Sequence, residues 1–107
     1  MAEKRDSPRR RCRLLVDFDT TLSRTTGFTH DVSKSGMFVR TIRIPKIGKV
    51  LQAILHVPGG GTVPIEGTVV RSFRAPGALR TLIPSGFVLR VAREHPPEYD
   101  EIAAPRY

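Results

Sequence analysis

The sequence predicts an all-β fold, a small antiparallel barrel or sandwich. Six short segments alternate apolar and polar residues or are dense in β-branched and aromatic ones, which is the pattern of half-buried strands. Breaks rich in Gly, Pro, Asp and Ser separate them. A helical period is almost absent. At 107 residues the chain holds one domain and one core.

The elements follow in order. Residues 1–8 are polar and charged, and are expected to form a flexible arm. Arg9–Arg13 is the densest basic run. Period two begins at Leu14, with Leu14, Val16 and Phe18 alternating with Leu15, Asp17 and Asp19. Thr25–His30 reads as a second strand and Asp31–Gly36 as a turn, where Asp and Ser bond their own backbone and Gly tolerates positive φ. Met37–Thr41 reads as the third strand.

Ile42–Gly48, with Pro45, is a connection. Val50–Val57 places Leu51, Ala53, Leu55 and Val57 on one face, and Pro58-Gly59-Gly60-Gly61 ends it. Val63–Phe73 follows at hairpin distance, so the two are expected to pair. Gly67 within it points to a bulge or a barrel corner. Arg74–Ser85 is a loop, and Phe87, Leu89 and Val91 mark the last strand. Phe18, Phe73 and Phe87 are expected to face the core. Pro97–Ala103 is expected to form one or two helical turns, with Pro97 near the start. This divides the chain into an arm (1–8), a domain (9–103) and a tail (104–107).

Enzyme chemistry finds no footing in the sequence. There is no nucleophile elbow and no Walker loop. Gly59-Gly60-Gly61 lacks the Lys and helix of a phosphate cradle and reads as a hairpin tip. His30, His56 and His95 share no metal-ligand spacing, so no metal is expected, and His56 reads as a surface residue. Cys12 is the sole cysteine, which excludes an internal disulfide and fits a reducing cytoplasm. Its arginine neighbours favour the thiolate, but a bystander thiol is the plainer reading. No apolar run is long enough to span a membrane, and no secretory signal opens the chain.

Charge is the unusual feature. Eighteen Lys and Arg against ten Asp and Glu give +8. Residues 1–13 hold six basic and two acidic side chains, so half of that charge, +4, lies in about an eighth of the chain. Such a balance attracts polyanions, among them nucleotides, nucleic acid and anionic lipid.

Two motifs give the charge a direction. Arg9-x-x-x-Arg13 stands directly before the first strand, and Asp31-x-Ser33-x-x-Gly36 stands between the second and third. Each is weak alone; together, in this order, on an all-β chain of this length, they resemble the PilZ domain family, whose members bind cyclic di-GMP. The resemblance extends to Met37-Phe38, to Gly48 before Val50–Val57, to Gly67–Arg71 and to Gly86-Phe87-Val88, and it spans roughly Arg9 to Val91. It implies a six-stranded antiparallel barrel with a short C-terminal helix.

The resemblance also implies the site. Arg9 and Arg13 would contact guanine and phosphate, Asp31 and Ser33 the other guanine edge, and Gly36 would shape the turn. Arg10 and Arg11 are auxiliary candidates. So is Arg5, which forms a second Arg-x-x-x-Arg with Arg9; Arg9 and Arg13 are preferred because Arg13 abuts the strand. Pro8 is a candidate influence on whether one ligand or a stacked pair binds.

Physical chemistry agrees with these roles. Arginine forks match guanine O6 and N7 as well as phosphate. A carboxylate accepts from guanine N1–H and N2–H, whereas adenine presents an acceptor there.

The expected function is therefore a non-enzymatic, cytoplasmic cyclic di-GMP receptor with no cofactor. Ligand binding would order the arm and change the surface seen by an unidentified partner protein. No output domain is expected on the chain. The alternatives are a basic barrel contacting nucleic acid non-specifically and a ligand-independent interaction module. The scarcity of exposed aromatic platforms weighs against single-strand nucleic acid.

Overall fold

The computed structural model describes residues 9–19, 23–77 and 85–104. Seven strands are present among them: β1 (Arg10–Arg11), β2 (Leu15–Asp19), β3 (Arg24–Val32), β4 (Gly36–Arg40), β5 (Val50–His56), β6 (Thr62–Phe73) and β7 (Gly86–Val91), followed by helix α1 (Pro97–Ala103). All pairings are antiparallel, in the order β3-β2-β5-β6-β7-β4, and β4 returns to β3. That return closes a six-stranded barrel, which leaves no edge unpaired along the ring. The expected barrel is therefore present, and β1 is an addition laid against β3.

Alternation builds the core. Val16 and Phe18 of β2, Leu51, Ala53 and Leu55 of β5, and Phe87 and Leu89 of β7 are buried. Phe18 and Phe87 meet edge-to-face at 5.2 Å in the barrel interior. Helix α1 spans the expected residues and packs Tyr99 and Ala103 onto the core. Gly59 and Gly60 adopt φ of 99° and 104°, which turns the β5–β6 hairpin at the expected tip.

Four expectations change. Phe73 is 46% exposed rather than core-facing. The β6–β7 register shifts between Val69 and Arg71, so one extra residue reverses the alternation: Arg71 pairs with Val88 and Phe73 with Gly86. Gly67 is not itself the irregular position; a Cβ there would lie 2.7 Å from the Arg90 carbonyl and from Leu89, so the glycine permits a close strand approach. Asp31 lies within β3 and not in a turn, because β3 runs on to Val32. Gly36 opens β4 without positive φ. The expected arm at 1–8, including Arg5 and Pro8, lies outside the described residues.

Candidate binding site

The basic run is held along β3. Arg10 pairs with Val32 and Arg11 with Asp31. Thr29, almost fully buried, staples the segment that follows: its hydroxyl donates to the Cys12 carbonyl at 2.5 Å and accepts from the Leu14 amide at 2.8 Å. The Cys12 amide donates to the His30 carbonyl at 3.2 Å. One buried hydroxyl thus satisfies two backbone groups of a segment without regular ladder bonds.

That geometry aims the arginines. The Arg9 guanidinium lies 2.5 Å from the Asp31 carboxylate. Arg13 stacks over the Phe28 ring at 4.3 Å. Asp31 and Phe28 both belong to β3, roughly 10 Å apart along the strand. Arg10 instead turns to α1 and donates to the Ile102 carbonyl. Arg10, Arg11 and Arg13 line a cleft of about 360 Å³ with Cys12, Leu14, Val57, Pro58 and Ile102.

The turn between β3 and β4 is small and internally bonded. The Ser33 amide donates to the Gly36 carbonyl at 2.8 Å, and the Gly36 amide returns to Ser33 at 3.3 Å. Ser33 is buried, and its hydroxyl lies 3.3 Å from both the Ser35 hydroxyl and the Gly36 carbonyl. The Ser33 hydroxyl thus serves the turn. Gly36 is required by closeness: a Cβ would lie 2.5 Å from the Leu89 carbonyl of β7.

Tyr99 is the residue that sequence reasoning missed. Its hydroxyl donates to the Ser33 carbonyl at 2.6 Å and reaches the Gly36 carbonyl at 3.3 Å. Burial pushes its phenol well above the ordinary range, so it remains a donor. The available signal was the spacing of Tyr99 and Ala103 on one face of a short helix.

His95 lies just before that helix and contacts it. Its ring contacts the Ala92 carbonyl at 2.7 Å and Asp100 at 2.9 Å, and packs edge-on to Tyr99 at 5.3 Å. The Ala92 carbonyl, then Asp100, raises its pKa. His56, expected as a plain surface residue, meets Asp17 at 2.8 Å. Hydrogen bonds from His56 and Thr26 lower the Asp17 pKa.

The structure therefore brings the two sequence motifs together on the outside of a closed barrel, with cations over one face of β3 and a helix tyrosine clamping the adjacent turn. Such an arrangement defines a small closed β-barrel domain. The chain belongs to the PilZ domain family, whose model matches residues 3–96. At the family level these are non-enzymatic cyclic di-GMP receptor and adaptor domains. The fold is also similar to that of the Bacillus subtilis inhibitor of motility (MotI/DgrA), with a TM-score of 0.75 and 17% identity. That match covers 95% of this chain and 48% of the other, so the chain spans about half the length of that protein. No curated protein matches the chain. Among the described residues, no helix is long and apolar enough to cross a membrane.

Proposed function

We propose that this chain is a cyclic di-GMP receptor whose site is formed by Arg9, Arg13, Asp31, Ser33 and Gly36, with Arg10 and Arg11 as auxiliary cations. The observation that carries this reading is the Arg9–Asp31 contact, which joins the two motifs at one place. Asp31 is the acceptor suited to guanine N1–H and N2–H. Arg9 and Arg13 supply forks for the guanine O6 and N7 edge and for phosphate. Ser33 and Gly36 act by fixing the tight turn beside Asp31.

Binding is then an exchange. Arg9 leaves Asp31 for the ligand, and Asp31 turns to a guanine edge. The pair is partly exposed, with side-chain accessibilities of 39% and 22%. Separating it costs about 1 kcal/mol or less. A charge-assisted fork to the ligand readily exceeds that.

The output is a change of surface. Arg10 ties β1 to Ile102 in α1, so re-aiming the basic run alters the face that α1 and the β5–β6 tip present to a partner protein. Isothermal titration with cyclic di-GMP tests the reading. Binding is expected for the parent chain, with loss or strong weakening for Arg13→Ala and Asp31→Ala. A folded protein that gives no heat at micromolar ligand would sink it.

A further inference from the structure

The barrel has a second basic surface, at the end away from β1. Residues 41–49 carry the chain from β4 to β5 past the ends of β7 and β6, which lie between them in the sheet order. The connection is tied to β6 and to the residue that follows it. Gly48 donates to the Val69 carbonyl at 2.7 Å, and the Arg74 guanidinium donates to the Ile42 carbonyl at 3.2 Å.

Within this connection the apolar residues divide. Pro45 is buried and Ile44 packs on the core, so they fasten the segment. Ile42 and Ile47 point outward, 71% and 63% exposed. Val50, which opens β5 opposite Thr68, and Phe73, which ends β6 opposite Gly86, are exposed as well. Neither protruding isoleucine contributes much to the fold, and leaving such side chains in water is unfavourable.

Charge surrounds them. Arg40, Arg43, Lys46 and Lys49 recur every third residue, and none forms an ion pair with a described residue. From Val32 to Ile65 the sequence contains no Asp or Glu. At this end Asp19 is opposed by Arg24 at 3.4 Å.

We propose that this barrel end docks on an anionic lipid surface, with Ile42 and Ile47 entering the interface and the four cations resting on lipid phosphates. Interleaved cations and protruding aliphatic side chains match a surface that is negative at its face and apolar beneath. A protein partner would require a shaped pocket for each isoleucine; a bilayer accepts protruding side chains without one. The two surfaces adjoin at one place: β1 pairs with the Val32 end of β3, while the connection leaves β4 at Arg40, which pairs with Phe28, the residue under Arg13. Ile42 and Ile47 lie outside the proposed ligand contacts, so changing them tests lipid docking apart from ligand binding.

Flotation with vesicles tests this. The chain is expected to associate with phosphatidylglycerol–phosphatidylcholine vesicles and not with pure phosphatidylcholine. Ile42→Ser/Ile47→Ser should weaken association by at least about tenfold, from the apolar area withdrawn, while thermal unfolding and cyclic di-GMP titration remain unchanged. The chain has no Trp, so Ile47→Trp gives a single reporter whose emission should shift to the blue on anionic vesicles. Equal binding to neutral vesicles, an unaffected double variant, or a Trp that stays in water would each overturn the proposal. Equally tight binding to soluble polyglutamate, insensitive to the serine changes, would assign the surface to an acidic protein instead.

Discussion

The phenol oxygen of Tyr99 lies 2.6 Å from the carbonyl oxygen of Ser33, across 66 residues of sequence. Through this bond the C-terminal helix holds the turn that carries half of the proposed ligand site. The helix is only seven residues long and has no side-chain cap at its N-terminus. Its stability must come from such tertiary contacts, because an isolated helix of this length does not persist in water.

Tyr99→Phe removes the donor and keeps the ring. A loss of about 0.5–1.5 kcal/mol is expected in urea unfolding, the usual net value of a hydrogen bond. Cyclic di-GMP affinity should fall with it, since the Ser33–Gly36 turn loosens beside Asp31. An unchanged unfolding midpoint would show that the bond contributes nothing.

The Arg9–Asp31 pair separates stability from binding. Either alanine change should alter stability by less than about 1 kcal/mol, because the pair is partly exposed. Titration should show a much larger effect on ligand affinity. Phe28→Ala tests the neighbouring contact: an exposed cation–π pair is worth about 0.5–1 kcal/mol, so a several-fold loss of affinity is expected through Arg13.

Gly36→Ala should destabilise by about 1–3 kcal/mol, the range for overpacking, since the new methyl meets the Leu89 carbonyl of a neighbouring strand. Gly77→Ala is the control. No described residue lies within 4 Å of a Cβ there, and the change should stay within about 0.5 kcal/mol. Comparing the two by thermal unfolding checks the argument.

His95 gives a pH signature. Its folded pKa is raised above the ordinary 6.5 by the Ala92 carbonyl and Asp100. The folded state therefore binds the proton more tightly than the unfolded chain. The resulting stability is fully present below 6.5 and is lost as pH rises through the raised folded value. The stability difference between the parent chain and His95→Gln should shrink over that interval. A difference that is constant with pH would refute the linkage.

Much of the fold and part of the site were legible in local pattern. Alternation at Leu14–Phe18 and Val50–Val57 marked strands and their buried faces, because a strand's side chains must point alternately to core and solvent. The Gly59–Gly60 tip was readable because positive φ favours glycine. The irregular positions were not readable. The shift between Val69 and Arg71 that turns Phe73 outward depends on pairing with β7, and the extension of β3 through Asp31 depends on pairing with β1 and β4.

The sequence by itself determined the all-β class, the strand faces, the helix and the two motifs, since each follows from the preferences of neighbouring residues. Only the tertiary structure decided what those motifs touch. Pairing of β2 with β5 and of β4 with β7 closed the ring, the strand pairing of Arg10–Arg11 carried Arg9 to Asp31, and the packing of α1 delivered Tyr99 to Ser33. These contacts join residues far apart in the chain, and their geometry exists only once the shared core has been buried.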